Sequence, residues 1–437
     1  MSRRSNKTRA AKRTHKPAFE LLETRALLAG NISVDVSGGN LIVRGDNQAN
    51  GVAILQLDDG AYAVVGFNGT RVEGSADPFV VEGVTGNIDV DLKKGDDLIG
   101  VGNDPAGLIL LAQEFGFGDD LGDAQALQDD LLALLDDAGA PERLEVPRNL
   151  NIRAGDGRDG VGIAGDIGQA VIVNLGNGDN TLVVVDSTVG GSLVAIGGKA
   201  RDTLFVANTQ IDHAFVANLK AGRNIADVAN SSIGHSAVVT TGKHVDIVDF
   251  ADTSIGHSLI VRTGSGDDDV RAHAHDGEGV DINGNVNIDT GSHRDYVELT
   301  GVVDGNVNIR TGNHDDEVFL SGLAVHNSLI VNLGSGNDDL EADGVEVDQN
   351  AVVVAGSGND AVALSASNVD RVFTAIMGSG RDTLFIQGST ASKAVLLGGS
   401  SRDTLRFDDE ELEEIATIKQ FEDVELIVEE EEEEQLG

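Results

Sequence analysis

The sequence predicts an all-β fold, a three-sided parallel β-solenoid (β-helix) of 21–22-residue coils with an inserted helical arm. Three observations support this prediction: a short glycine–aspartate phrase recurs at a nearly constant interval, each interval carries three apolar patches, and aromatic residues are scarce. Trp is absent and aromatics make up 3% of the 437 residues, whereas Gly numbers 56. Such a composition suits a thin, regular core rather than a wide one.

The phrase is clearest in Gly334-Ser335-Gly336-Asn337-Asp338, which returns one period later as Gly356-Ser357-Gly358-Asn359-Asp360. Neighbouring copies start at intervals of 21 or 22, except for one interval of 27 that marks an insertion. A fixed period of this length is the signature of a repeat architecture, whose units stack on one another. The first residues of the copies are Gly155, Gly176, Gly198, Lys220, Gly242, Gly264, Gly291, Gly312, Gly334, Gly356, Gly378 and Gly399.

Every interval also repeats the same pattern of apolar residues. Alternate apolar residues precede the phrase, as Val171 and Val173 do, and a second pair follows it, such as Leu182 and Val184. A third apolar point comes next, at Val189 in this coil. Period-two alternation is typical of strands with one buried face. Three buried patches separated by turns therefore describe one coil of a three-sided solenoid, stacked about 4.8 Å from the next.

The segments outside the regular repeat differ in character. Leu127, Leu131 and Leu134 have helical spacing, so we expect a helical arm that either packs on the solenoid or docks a partner. Residues 408–428 are typical of a short helix followed by one final strand, and the glutamates at 429–434 that come next must be solvated. We divide the chain into a basic export or targeting segment (1–30), an N-terminal β cap or irregular first coils (31–104), a helical insertion (105–147), the β-solenoid (148–407), a C-terminal cap (408–428) and an acidic tail (429–437).

Charge and composition narrow the classes of function. The net charge is −42, and seven of the 31 Lys and Arg residues lie within residues 1–19, which contain no acid. The rest of the chain is therefore strongly acidic, so it repels nucleic acid and attracts cations. Cys is absent, which excludes disulfides and thiol chemistry. No run of 18 apolar residues occurs, so we expect no transmembrane helix.

The amino terminus carries a second signal. Residues 1–19 are basic, and Phe19-Glu20-Leu21-Leu22-Glu23-Thr24-Arg25-Ala26-Leu27-Leu28 follow directly. This stretch resembles the "FExLExRxLL" signature that opens many large exported proteins of planctomycete bacteria. The resemblance implies an extracellular or cell-surface location. The alternative is a solvated basic arm.

Aspartate recurs four residues after most of the phrase starts. Asp159, Asp202, Asp246, Asp268, Asp295, Asp316, Asp338, Asp360, Asp382 and Asp403 hold this position, and Asn180 and Asn224 replace it in two coils. Stacking would bring these carboxylates close enough to repel one another, so they need either hydrogen bonds or cations. Ca²⁺ accepts six to eight oxygen ligands and suits the second solution. In the first solution, each Asp accepts N–H groups of its own turn.

The phrase Gly334-Ser335-Gly336-Asn337-Asp338-Asp339-Leu340 is similar to the GGxGxDxUx repeat of the repeats-in-toxin (RTX) β-roll proteins, which fold around calcium outside the cell. The resemblance implies calcium binding, with Asp159, Asp268, Asp338, Asp360 and Asp382 as the candidate ligands. That family repeats its phrase every nine residues and places it on both sides of each coil. Here it occupies a single corner of the coil.

Histidines form two further columns. His213, His235 and His257 recur at intervals of 22, and His293 and His314 are also one coil apart. Stacked neutral imidazoles are candidate Zn²⁺ ligands, or groups that titrate together near pH 6. The alternative is a set of exposed polar corner residues.

We therefore predict a secreted structural or adhesive protein of the cell surface or matrix, whose partners are divalent cations and also cell-surface polysaccharide or other surface proteins. The alternative is a polysaccharide lyase or hydrolase, because those enzymes include three-sided β-helices. The near-constant interval leaves little loop length for a cleft, and there are only two tyrosines and no Trp to hold sugar rings. The insertion with His273, His275, Asp276 and Glu278 is the best candidate for a catalytic site.

Overall fold

The computed structural model describes residues 30–58, 60–103, 135, 140–275, 279–408 and 415–427. It confirms the predicted three-sided parallel β-solenoid. In each coil the chain runs along a first face, turns at a first corner formed by the glycine–aspartate phrase, and continues along a second face. A second corner leads to a short third face, after which the next coil begins.

The first face contains the strands Asn40–Arg44, Ile88–Asp91, Leu150–Arg153, Val171–Asn174, Leu193–Ile196, Phe215–Asn218, Ala237–Thr240, Leu259–Arg262, Val286–Asp289, Val307–Asn313, Leu329–Ser335, Asn350–Ser357, the later parts of Asn368–Ser379 and Thr390–Ser400, and Ala416–Lys419.

The second face contains Gly51–Gln56, Leu98–Gly102, the first part of Gly160–Ile167, Asn180–Val185, Asp202–Ala207, Ile225–Ala229, Ile247–Ala251, Asp269–His273, the first parts of Tyr296–Val303 and Glu317–Val325, Asp339–Asp343, Ala361–Ser365, Thr383–Gln387, Thr404–Phe407 and Asp423–Leu426.

The third face contains Leu144–Val146, Thr188–Val189, Gln210–Ile211, Ser232–Ile233, Ser254–Ile255, Val280–Ile282 and Glu346–Val347, together with the remaining parts of the longer strands that cross a corner.

Neighbouring coils are stacked in register. Leu193 of the first face pairs with Phe215, and Leu204 of the second face pairs with Ala226, each partner being the equivalent residue of the next coil. The inward side chains of all three faces are fully or almost fully buried and form one continuous apolar core from Ile32 to Phe407. The core is thin, but it holds some large side chains, because Phe215 and Phe250 pack edge to face at 6.3 Å.

Close approach of neighbouring coils explains the glycines of the first corner. Gly358 has a φ of +141°, and a Cβ placed there would lie 1.4 Å from the carbonyl oxygen of Gly336 in the preceding coil. A side chain at this position is therefore excluded both by the backbone conformation and by the neighbouring coil.

Two irregular coils precede the repeat. Leu41 pairs with Ile88, and Ile88 pairs with Leu150, so the first face begins well before Gly155. Antiparallel strands are added to these coils: Asn31–Ser37 pairs with Asn40–Arg44, and Tyr62–Phe67 pairs with Gly51–Gln56. Two short strands, Arg71–Val72 and Phe79–Val81, complete this end. Residues 31–103 thus contain both stacked coils and a cap.

Most of the predicted helical arm at 105–147 lies outside the described residues. Leu135 has a helical conformation, and its side chain is buried against Leu55 and Val65, on the outer side of the Gly51–Gln56 and Tyr62–Phe67 hairpin. The described end of the segment includes the third-face strand Leu144–Val146.

The other end of the solenoid is closed by two parallel strands. Ala416–Lys419 pairs with Thr390–Ser400, and Asp423–Leu426 pairs with Thr404–Phe407. Phe421 and Leu426 pack against the core. The short helix predicted near 408–415 lies largely outside the described residues. Within the part of the chain that the structure describes, no helix has the length and apolar character needed to cross a membrane.

Candidate functional site

The aspartates of the first corner form a continuous ladder on the inner side of the turn. All of their side chains are buried, with at most 3% of each residue exposed. In every rung but Asp202, Oδ1 accepts the N–H of the equivalent residue in the preceding coil: the N–H of Asp316 donates to Asp338 at 2.9 Å, and that of Asp338 donates to Asp360 at 3.0 Å. We call this set the aspartate ladder; its rungs are Asp97, Asp159, Asn180, Asp202, Asn224, Asp246, Asp268, Asp295, Asp316, Asp338, Asp360, Asp382 and Asp403.

The ladder extends into both ends of the solenoid. At the first end the N–H of Asn50 donates to Oδ1 of Asp97 at 2.7 Å. At the other end the N–H of Asp403 donates to Glu422 at 2.8 Å. The prediction that each aspartate accepts N–H groups of its own turn therefore misses the main contact, because the carboxylate binds the amide of a neighbouring coil and joins the two coils.

The second carboxylate oxygen has no such contact in most rungs. Oδ2 is buried and lacks a hydrogen-bond partner in Asp97, Asp159, Asp246, Asp268, Asp295, Asp316, Asp338, Asp360, Asp382 and Asp403. A buried carboxylate with one unpartnered oxygen is unfavourable in its charged form. The ladder thus places a row of these oxygens, one coil apart, along the inner wall of the first corner.

Burial raises the pKa of these groups far above the ordinary value for aspartate. The pKa rises to about 8 at Asp97, about 7 at Asp316 and about 6 at Asp338, and in each case burial is the largest cause. The amide that donates to Oδ1 opposes the shift without cancelling it, and the neighbouring carboxylates add to it. Near neutral pH the ladder therefore carries protons or requires a compensating cation.

The two asparagine rungs use their side-chain amides as donors to the turn. Asn180 accepts the N–H of Asp159 at 3.0 Å, and its Nδ2 donates to the carbonyl of Gly178 at 2.9 Å. The Nδ2 of Asn224 donates to Gly222 at 3.2 Å. At these two rungs the amide leaves no buried side-chain atom without a partner, whereas most aspartate rungs leave Oδ2 without one.

The five calcium candidates, Asp159, Asp268, Asp338, Asp360 and Asp382, are all rungs of the ladder. Each retains one buried oxygen of the kind that Ca²⁺ prefers. Among the described residues, however, no three acidic or histidine side chains converge as a metal site requires. The donor chemistry fits calcium, and any further ligands would have to come from the turn backbone or from water.

The predicted histidine columns are stacked on the surface. Ring centroids lie 5.2 Å apart between His213 and His235 and 5.1 Å apart between His235 and His257. His293 and His314 stack at 5.1 Å. The rings of the first column are tilted by 30° and 35° to their neighbours, those of the second are nearly parallel at 14°, and all five residues are exposed.

A further polar cluster occupies the outward side of the second face. Asp227 pairs with Asp249, and Asp249 pairs with Arg271, so the three side chains stand on consecutive coils. His273 Nε2 lies 3.1 Å from Oδ1 of Asp249. The Arg271 guanidinium lies 5.2 Å from the ring centre of Tyr296. We call these residues the second-face cluster.

Burial and neighbouring charges perturb both carboxyl groups of this cluster. Burial, followed by the charge of Asp249, raises the pKa of Asp227. Burial also raises the pKa of Asp249, although His273 and Arg271 oppose the shift. The charge of Asp249 thus disfavours ionisation of its neighbour Asp227.

Sequence reasoning missed most of this cluster. Of the four residues proposed as a catalytic group, only His273 belongs to it; His275 donates its N–H to Asp252 at 3.3 Å, and Asp276 and Glu278 lie outside the described residues. Asp227 and Asp249 could have been found from the repeat, because both hold the same place relative to the start of their phrase. The chain matches no known protein family, no curated protein and no solved structure.

Proposed function

We propose that this chain is an exported structural or adhesive element of the cell surface or matrix, built as a stiff acidic shaft. The observation that carries the proposal is the in-register stacking of the described coils from Asn40 to Leu426 around one core. Within the regular repeat each coil is bonded to its neighbours through all three faces, so the architecture presents a long, repetitive surface. Such a surface suits contacts distributed along a polymer or a second protein.

Expression of the tagged chain in cells that make it naturally tests this role. We expect the chain on the outside of intact cells and in the surrounding matrix, and we expect a version without residues 1–30 to stay inside. A chain that remains in the cytosol with residues 1–30 present would contradict the proposal.

Calcium association is the second part of the proposal, and it is supported by the unpartnered Oδ2 atoms of the aspartate ladder. Protons and Ca²⁺ would compete for these oxygens, because burial raises the pKa of Asp338 and Asp360 to about 6. Thermal melting with millimolar Ca²⁺ or with EGTA should therefore differ at pH 8 and much less at pH 5. No difference at pH 8 would remove calcium and leave the structural role standing.

Hydrolysis of a polysaccharide is a second candidate function, favoured by the second-face cluster. Paired carboxyl groups about one strand spacing apart are the arrangement used by retaining glycosidases, with one acid and one nucleophile. Incubation of the purified protein with neutral and acidic polysaccharides, followed by a reducing-end assay, tests this function. The variants Asp227→Asn and Asp249→Asn should each abolish any activity found, and activity that survives both would exclude the cluster.

A further inference from the structure

One stretch of the first corner reverses the charge of the chain. Three consecutive coils present cationic side chains outward there, although acidic residues outnumber Lys and Arg by 73 to 31 overall. We call this stretch the basic corner; its residues are Lys199, Arg201, Lys220, Arg223, Lys243 and His244.

The cations of the basic corner are exposed and are not neutralised by the protein. All six residues are exposed, and among the described residues none of them belongs to an ion pair. Elsewhere, Lys and Arg side chains do find partners, as Arg402 does with Asp423 at 2.9 Å. A set of unpaired cations one coil apart creates a local positive potential on a negative shaft.

The backbone adds hydrogen-bond donors to this charge. In other coils a side chain at the outer position of the turn accepts the next N–H: Asn337 accepts that of Asn359 at 2.9 Å, and Asn359 accepts that of Arg381 at 2.9 Å. Arg201 and Arg223 occupy this position in the basic corner and cannot accept. Within the described hydrogen bonds, the N–H groups of Arg223 and Val245 consequently have no acceptor.

Part of the basic corner, including Arg223 with its N–H, lines an open depression on the surface. The depression has a volume of about 410 Å³ and is bordered by Lys199, Arg201, Gly222, Arg223 and His244, with Asp179 at one edge. The Asp179 carboxylate is already occupied by the N–H of Arg201, at 3.1 Å. Cationic side chains and the N–H of Arg223 around one depression are components of an anion site, and the N–H of Val245 lies in the next residue after His244.

We propose that the basic corner binds an anionic polysaccharide, through sulfate or carboxylate groups of a chain that runs along the solenoid axis. Cations are supplied in three successive coils, about 4.8 Å apart, so a linear polymer with regularly spaced charges can engage several of them at once. The inference deepens the adhesive role proposed above, on which its biological setting rests.

The width of the basic corner favours a slender polymer over nucleic acid. Asp179 and Asp267 hold the outer turn positions of the coils on either side, and Asp227 and Asp249 lie on the adjoining second face of the same coils. A duplex would extend over these carboxylates and be repelled, whereas a single glycan chain is confined to the corner.

Calorimetric titration of the full-length protein tests the proposal, with a size-defined heparin oligosaccharide and an oligouronate as probes. The triple variant Arg201→Glu, Arg223→Glu, Lys243→Glu should weaken binding of the better probe at least about tenfold. In a plot of the logarithm of the affinity against the logarithm of salt concentration, the variant should also have a slope smaller in magnitude by about two to three.

A matched control keeps the net charge of that variant. Arg371→Glu, Arg381→Glu, Lys393→Glu changes three exposed cations in other parts of the solenoid and should retain wild-type affinity. Equal losses in the two triple variants, no binding of either probe, or tighter binding of duplex DNA than of both glycans would each overturn the proposal. The titration uses purified protein, so a failure to bind glycans would not contradict the proposed surface role. That role is tested separately by the location of the tagged chain in cells.

Discussion

In the coils that place Ser187, Ser231, Ser367 or Ser389 at the second corner, the two corners that flank the second face bond neighbouring coils through different side chains. At the first corner an aspartate accepts the N–H of the preceding coil and leaves Oδ2 buried without a partner. At the second corner a hydroxyl accepts the N–H of the preceding coil instead: Ser231 accepts the N–H of Thr209 at 3.2 Å and donates to the carbonyl of Ala229 at 2.8 Å. A hydroxyl can be donor and acceptor at once, whereas a charged carboxylate is only an acceptor.

The difference shows that the connection between coils does not require a titratable group. The second corner joins the coils with neutral side chains, whose hydrogen bonds do not depend on pH. The first corner joins them with groups whose charged form is destabilised by burial. Of these two corners, the first should therefore be the one through which the stability of the solenoid responds to solution conditions.

The largest expected effect is an inverted dependence of stability on pH. The pKa of each ladder aspartate is raised by burial, to about 6 at Asp338, Asp360 and Asp382 and to about 7 at Asp159. The native chain therefore holds more protons than the unfolded chain above about pH 4, and stability falls as pH rises from there through the folded pKa values. Melting followed by circular dichroism at low calcium should show a higher midpoint at pH 5 than at pH 8.

The triple variant Asp338→Asn, Asp360→Asn, Asp382→Asn is the control for this effect. It removes three of the titrating rungs, so the slope of the melting midpoint against pH should become smaller. An unchanged slope would place the pH response outside the ladder.

The substitution Asp338→Ala breaks one rung. It removes the acceptor of the Asp316 N–H and should destabilise the protein by about 1–3 kcal/mol at pH 5, where the wild-type carboxyl is neutral. Urea unfolding at pH 5 measures the loss. A change below a few tenths of a kcal/mol would mean that the inter-coil bond contributes nothing net.

The substitution Asp338→Asn should stabilise the protein, in contrast to Asp338→Ala. We expect its amide to copy Asn180, accepting one N–H and donating to the turn carbonyl, so that no buried atom is left unpartnered. The variant should be more stable than wild type at pH 8 by about 1 kcal/mol and nearly equal to it at pH 5. Lower stability at both pH values would contradict this account of Oδ2.

The smallest expected effect belongs to the second corner. Ser367 accepts the N–H of Val345 at 3.0 Å and donates to the carbonyl of Ser365 at 2.8 Å. Ser367→Ala should cost about 1 kcal/mol, because one buried N–H loses its acceptor. Urea unfolding should give the same loss at pH 5 and pH 8, and a loss confined to one of them would refute the contrast between the corners.

The sequence period predicted the architecture because, in a regular solenoid, residues one period apart lie directly above one another in neighbouring coils. Once Asp338 and Asp360 are known to be one period apart, their stacking follows, and the alternation around them fixes which side chains enter the core. The period does not specify which backbone group a carboxylate contacts. Both an N–H of the same turn and one of the preceding coil are within reach of the carboxylate, and only the folded structure distinguishes them.

Irregular regions were harder to predict for the same reason. The equivalent residues Asn50 and Asp97 of the first two coils are 47 residues apart, and Asp97 is 62 residues from Asp159 in the third coil. No constant interval therefore marks the first two coils. The second-face cluster combines outward residues from several coils, and these positions vary freely because they do not affect the core. The Lys and Arg residues of the basic corner do not all occupy the same places in the three successive phrases, and the sequence does not show whether such cations pair with neighbouring acids.

The antiparallel strands at the first end give the shaft a direction. A parallel coil from another molecule could pair with Ala416–Lys419 and Asp423–Leu426 at the last end. At the opposite end such a coil would meet Asn31–Ser37, which is antiparallel to the strand it covers. Continuous head-to-tail fusion of shafts into one endless sheet is thereby blocked at the first end, a known safeguard against uncontrolled fibre growth. Assembly of this protein into long fibres would then depend on lateral contacts between the faces and corners of separate shafts.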